Sequence, residues 1–122
     1  MHIVFTDLDG TLLDAETYSW EPARPALELL AAQAVPWVMV SSKTRAEMEE
    51  LRAELHHAHP YVVENGAAAF IPLGYFGGPV PDAVIRDGYE VLEWGTPYPR
   101  LAAALQSLAK DTRCPVQGFQ SM

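Results

Sequence analysis

His2-Ile3-Val4-Phe5-Thr6-Asp7-Leu8-Asp9-Gly10-Thr11-Leu12-Leu13 decides the reading of this chain. A short β-branched and aromatic run stops at acidic and glycine residues, which predicts a buried strand ending in a polar loop. Asp7 and Asp9 stand two apart, so at a strand end both side chains can enter one crevice while Leu8 points the other way. Two carboxylates so close favour a divalent cation. Mg²⁺ suits them, because it takes hard oxygen ligands, keeps several waters and bridges one or two carboxylates to a phosphate. Gly10 permits a sharp turn that brings backbone N–H groups near an anion, and Thr11 adds a hydroxyl donor. An Asp-x-Asp pair by itself is common in surface turns, so the longer string carries the weight.

Outward from this string the pattern alternates. Pro22 and Pro25 fit a first helical turn, and Leu27, Leu30, Ala31 and Ala34 recur at helical spacing, which predicts a helix over residues 23–34. Val35-Pro36-Trp37-Val38-Met39-Val40 is apolar throughout, as in a parallel strand covered on both faces. It ends in Ser41-Ser42-Lys43-Thr44, a second polar cluster at a strand's carboxyl end. Thr44 and Glu47 have capping-box spacing, and Met48, Leu51 and Leu55 form the stripe of a helix over 44–57. Glu47, Glu49, Glu50 and Glu54 read as its solvated face. Tyr61-Val62-Val63 is a third strand; Glu64-Asn65-Gly66 is a turn, and residues 67–71 return as a hairpin strand.

Residues 72–82 have loop composition, with three glycines and three prolines. A boundary is expected there, dividing residues 1–76 from 77–122. Beyond it, Val84-Ile85 and residues 89–94 read as short strands. Thr96-Pro97 opens a helix with Leu101, Leu105 and Leu108 in its stripe, and residues 114–122 begin another extended segment. Strand-helix-strand-helix-strand through residue 64 predicts an α/β parallel sheet with right-handed crossovers. In such sheets the ligand lies beyond the carboxyl ends of the strands, where both polar clusters fall.

Composition excludes several classes. The chain has 122 residues, 49% hydrophobic and 20% charged, a balance that buries a core. Eight basic against sixteen acidic side chains leave a charge of −8, so nucleic acid is not an expected partner. No apolar run reaches the roughly 20 residues that span a bilayer, and no basic start precedes an apolar stretch, so no membrane partner and a cytoplasmic location are expected. The single cysteine, Cys114, precludes an internal disulfide and reads as a small apolar residue.

The strand leading into Asp7-Leu8-Asp9-Gly10-Thr11-Leu12-Leu13 resembles the first motif of the haloacid dehalogenase (HAD) superfamily of phosphotransferases. A second apolar strand ending in Ser42 is similar to that superfamily's second motif, a hydroxyl that binds the transferring phosphoryl group. Counting leaves Ser41 and Ser42 both open, with Ser42 favoured. Phe5 through Asp14, Tyr18-Ser19-Trp20, Ser41-Ser42-Lys43-Thr44, Glu64-Asn65-Gly66-Ala67 and Ile71-Pro72-Leu73-Gly74-Tyr75-Phe76 together resemble its mannosyl-3-phosphoglycerate phosphatase family, densely only to about residue 76. The resemblance implies a partial HAD-like Rossmannoid parallel sheet followed by the start of an α/β cap domain. It implies Asp7 as nucleophile, forming an aspartyl-phosphate, and Asp9 as general acid and base. Gly10, Thr11, Ser42 and Lys43 would bind phosphate, and Mg²⁺ would be held by the Asp7 carboxylate and the Asp9 main-chain carbonyl. The partner would be a small sugar phosphate, cleaved to mannosylglycerate and phosphate. A generic sugar-phosphate phosphatase, or a non-catalytic chain that binds Mg²⁺ and phosphate or assembles with a partner, are the alternatives.

Two later motifs of that superfamily, a charge-neutralising lysine and a Gly-Asp metal loop, have no match here, since Lys43 belongs to the second motif and Lys110 ends a helix. The expectation is a chain that stops inside the cap. The first-motif strand is then left as an exposed edge open to self-association. His56, His57 and His59, crowded at a helix end, suit the macrodipole better than a metal. Gly74-Tyr75-Phe76-Gly77-Gly78 reads as a cap hinge. Trp94 and Tyr98 could stack on a sugar, though ordinary burial of aromatics is the commoner use.

Overall fold

A computed structural model describes residues 1–117. Its element order is β1 (Val4–Thr6), α1 (Arg24–Ala32), β2 (Trp37–Val40), α2 (Arg45–Leu55), β3 (Tyr61–Val63), β4 (Ala68–Pro72), β5 (Val84–Arg86), β6 (Tyr89–Glu93) and α3 (Tyr98–Thr112). The six strands form one sheet in the order β1-β2-β3-β4-β6-β5. β1, β2 and β3 run parallel, and the remaining pairings are antiparallel. The expected α/β parallel sheet is therefore present, with an antiparallel extension. Part of the extended segment expected over 114–122 lies outside the described residues, and the part inside forms no strand.

One face of the sheet holds the core. Met39, Tyr61 and Met48 are fully buried, with Trp37, Val63, Phe70 and Val91 beside them. Leu27 and Leu30 from α1, and Leu51 and Leu55 from α2, pack onto the same cluster. Adjacent parallel strands joined by right-handed crossovers place both helices on one side. The other side carries the alternate residues: Phe5 is 67% exposed, and Val40, Val62, Ala69 and Leu92 are half-buried.

Helix boundaries follow the local chemistry. Thr44 caps α2 through the expected capping box, its hydroxyl accepting from the Glu47 amide while the Glu47 carboxylate accepts from the Thr44 amide. At the other end His56 takes a left-handed conformation, φ 51°, and stops the helix before residue 57. Ala34 also has a positive φ of 52°, which ends α1 short of the expected residue 34 and leaves Ala31 and Ala34 exposed.

The boundary expected between residues 76 and 77 is crossed by the sheet. Ala68 through Pro72 pair with Glu93 through Tyr89, so β5 and β6 extend the sheet that begins at β1. The loop composition of residues 72–83 marks a long connection inside that sheet. It is pinned there by the Val80 amide, which donates to the buried Glu90 carboxylate. α3 follows Gly95 and has no fully buried residue; Leu101 and Leu108 of its expected stripe are exposed.

Candidate active site

The carboxyl ends of the three parallel strands meet in a hollow of about 680 Å³ lined by Asp9, Ser42, Lys43, Thr44, Glu47, Glu64 and Asn65. Each loop reaches it for a local reason. Beyond β1, Leu8 is fully buried as an anchor while Asp7 and Asp9 are exposed on either side, the alternation expected of an extended backbone. Gly10, with φ +77°, turns the chain sharply back. The turn is closed by its own amides: Gly10 N–H donates to Leu13 O, and both Thr11 and Leu13 N–H donate to Leu8 O, each at 2.9 Å. The Gly10 and Thr11 amides are thus engaged inside the turn.

After β2, the two serines divide their labour. Ser41 is buried; its Oγ accepts from the Lys43 amide at 3.2 Å and its carbonyl accepts from the Asn65 amide at 2.9 Å. Ser42 is exposed and lines the hollow. After β3, Glu64 and Asn65 take left-handed conformations with φ of 48° and 57°. Two consecutive such residues other than glycine are costly and persist only where other contacts hold them. Here the Glu64 amide donates to Lys43 O at 3.1 Å, which with the Asn65 bond stitches the second loop to the third.

Among the described residues Lys43 is the only base lining the hollow, its Nζ 3.4 Å from Asp9 Oδ1, against the carboxylates of Asp9, Glu47 and Glu64. The Glu47 carboxyl is held below the usual range, chiefly by the Thr44 amide that donates to it. Of the residues expected at the site, Asp9, Ser42 and Lys43 come together. Asp7 lies two residues before Asp9 with its carboxylate exposed, while Gly10 and Thr11 border a separate hollow with Asp14 and Pro22. Thr44 belongs to the second polar cluster expected at a strand end, whereas Glu47, Glu64 and Asn65 are lining residues that the sequence reading misses; the turn signal Glu64-Asn65-Gly66 directly after an apolar strand is the clue to the last two.

Among the described residues no three acidic, histidine or cysteine side chains gather in metal-binding proximity. One or two strand-end carboxylates and a main-chain carbonyl, all hard oxygens beside a polar hollow, match the sparse protein contribution that Mg²⁺ accepts.

The histidines and most of the α2 glutamates serve the fold instead. Arg52 is buried; its Nε donates to His57 Nδ1 at 3.1 Å, and other guanidinium nitrogens donate to Tyr89 Oη and to His59 O. His57 Nε2 lies 2.8 Å from Trp37 O, so this nitrogen carries the proton and the ring is neutral. Burial pushes the His57 pKa down from 6.5 to about 4. A neutral ring adds no charge to the helix end, so the macrodipole reading does not apply to His57. Glu49 accepts from Tyr61 Oη, Glu54 accepts from Trp20 Nε1 at 3.3 Å, and Glu47 forms the cap, so three of the four expected surface glutamates have structural partners.

Comparison with known proteins agrees with this architecture. Residues 4–72 match the family model described as haloacid dehalogenase-like hydrolase. The chain is 46% identical over 118 residues to the glucosyl-3-phosphoglycerate/mannosyl-3-phosphoglycerate phosphatase of Methanococcoides burtonii, covering 97% of this chain and 43% of that protein. It is 44% identical over 111 residues to the mannosyl-3-phosphoglycerate phosphatase of Pyrococcus furiosus, covering 91% and 45%. The chain therefore spans less than half the length of these curated relatives. A haloacid dehalogenase-like hydrolase from B. subtilis superposes with a TM-score of 0.59 at 18% identity, over 93% of this chain and 34% of that one. With a family match covering more than half of its residues, the chain belongs to the haloacid dehalogenase-like hydrolases.

Proposed function

We propose that this chain carries the nucleophile half of a Mg²⁺-dependent phosphomonoesterase acting on a hexosyl-3-phosphoglycerate, mannosyl-3-phosphoglycerate first. The observation that supports this most is the convergence of Asp9, Ser42 and Lys43 on one hollow at the carboxyl ends of β1, β2 and β3. In the proposed reaction an Asp7 carboxylate oxygen forms a bond to phosphorus as the ester P–O bond breaks, and Asp9 gives its proton to the departing alkoxide. Asp9 then takes a proton from the water that attacks phosphorus, releasing inorganic phosphate and the free Asp7 carboxylate. Ser42 donates to a phosphoryl oxygen, and Lys43 offsets charge on the anion. Gly10 and Thr11 contribute the turn that positions Asp9. The Asp7 carboxylate and Asp9 main-chain carbonyl would hold Mg²⁺, which supplies charge neutralisation between nucleophile and phosphate.

A second reading, a chain that binds Mg²⁺ and phosphate without turning phosphate over, is favoured by the single lysine of the hollow, which leaves most of the charge that builds up in turnover uncompensated by the chain's own residues. We propose that the following unit starts after β6, at Gly95, where the last strand of the sheet ends. The exposed edge of β1 is the surface through which we expect the chain to associate with another copy.

The test is phosphate release from mannosyl- and glucosyl-3-phosphoglycerate and a panel of other sugar phosphates, with beryllium fluoride capture in parallel. Asp9→Asn should lower turnover about 10²-fold or more, and Asp7→Asn should abolish both turnover and capture. Capture without turnover in the unmodified chain selects the second reading. Full activity in Asp7→Asn rejects both.

A further inference from the structure

A second hollow, of about 360 Å³, lies on the core face of the sheet beyond the amino end of α2. Its floor is Ala68 and Phe70 of β4. The Arg86–Glu93 ion pair, 2.8 Å apart across β5 and β6, lines it together with Trp94 and Tyr98. Glu64 lines both this hollow and the one that holds Asp9, Ser42 and Lys43, so the two adjoin across that residue. The hollow is within the size range of small-molecule sites.

The chemistry of the walls is selective. Trp94 is 56% and Tyr98 41% exposed and both line the hollow, which leaves ring area open to a ligand there. The Trp94 amide donates to Ala67 O at 2.8 Å, which fixes that residue to the sheet, while Tyr98 opens α3 across Gly95, φ +87°. One aromatic therefore stands on the rigid sheet and the other on the first turn of the helix. Two carboxylates, Glu64 and Glu93, and one guanidinium, Arg86, line it among the described residues, so the polar rim carries net negative charge and is richer in acceptors than in cationic donors. Such a rim disfavours a second anion and welcomes a neutral ligand with many hydroxyl donors. Aromatic faces beside an acceptor-rich rim fit a ring with apolar C–H faces and hydroxyls around its edge.

We infer that this second hollow is the subsite for the neutral pyranose portion of the substrate, with Trp94, Tyr98, Arg86 and Glu93 setting its specificity. The inference rests on the phosphatase reading for the link between the two hollows, though not for the pyranose subsite itself. It assigns the sugar-selecting surface to the last strand of the sheet and the helix that follows it.

The test is an amide and indole NMR titration of the chain, with methyl α-D-mannopyranoside and with inorganic phosphate in separate experiments. The glycoside should shift the Trp94 indole and the amides of residues 93–98 saturably. Trp94→Ala should weaken that binding about 10-fold, whereas Trp94→Phe, which keeps a ring, should largely retain it. Phosphate should shift residues 42–44 in all three proteins, which also shows that the variants are folded. Glycoside shifts absent from 93–98, or unchanged in Trp94→Ala, overturn the subsite while leaving the phosphate reading intact. Saturable glycoside binding at 93–98 with no phosphate response at 42–44 upholds the subsite and rejects the phosphatase reading. Adenosine saturating Trp94 in preference to the glycoside overturns the assignment to a pyranose.

Discussion

Lowering the pH from 7.5 to 5 should destabilise the fold by about 1.5 kcal/mol through His57. Its ring is wedged between Trp37 O and the Arg52 guanidinium, and the residue is 7% exposed, so the folded state holds it neutral with a pKa near 4. An unfolded imidazole titrates near 6.5, so between about 4 and 6.5 the unfolded chain binds more protons and stability falls as pH falls. The contribution is complete above about 6.5 and gone below about 4. At about 1.4 kcal/mol per pH unit, linkage gives a ceiling of about 2 kcal/mol between pH 7.5 and 5, reduced to about 1.5 because solvent reaches the rim of the network. His59, lowered in the same direction by burial and by Arg52, adds to the loss. The carboxyls held low in the fold, Asp14, Glu21 and Glu47, start from ordinary values of 3.8 to 4.5, so their acid loss comes at lower pH. Urea melts followed by circular dichroism measure the effect; with a slope of about 1–1.5 kcal/mol per molar, the midpoint should move by about 1 M. His57→Gln can accept from Arg52 and donate to Trp37 without titrating, and should remove more than half of the pH dependence. Equal midpoints at pH 7.5 and 5 in the wild-type chain, or an undiminished acid loss in His57→Gln, would refute the assignment.

Thr44→Ala removes the hydroxyl of the α2 capping box and should cost about 1 kcal/mol in the same melts. Because this cap borders the hollow, the variant should also weaken phosphate binding; intact stability would show the box to be dispensable. Phe5→Lys places a charge on the open side of β1, and sedimentation velocity should show less self-association with an unchanged circular dichroism spectrum. Equal association in both proteins would move the contact elsewhere.

Periodicity made most of the architecture legible. The apolar run ending at Val40, the Thr44 and Glu47 spacing and the Glu64-Asn65-Gly66 turn each led to the element observed, because each records a local constraint. What escaped were tertiary effects. Arg52 sits where the helical pattern places a polar residue, yet it is buried, since Tyr89, 37 residues on, and His59 O, in the loop after the helix, satisfy its donors. Residues 84–93 follow a loop that reads as a domain boundary, and only their pairing with β4 shows them to be part of the sheet. At the site, the position of Asp9 and Ser42 could be read from strand ends. The engagement of the Gly10 and Thr11 amides could not, because turn closure is decided by backbone geometry and not by residue type.

β1 is three residues long and, among the described residues, hydrogen-bonded to a strand on one side only, yet Asp7 and Asp9 hang from its end. Strands with few partners open locally at less free energy than the whole fold requires, so its amides should be among the first strand amides to exchange. The spacing of the two carboxylates is then a populated fraction as much as a distance. Any chain segment that pairs with the free side of β1 raises that fraction, and the affinity of the hollow for an anion rises in proportion. By reciprocity, an anion seated in the hollow tightens the grip on whatever occupies the edge.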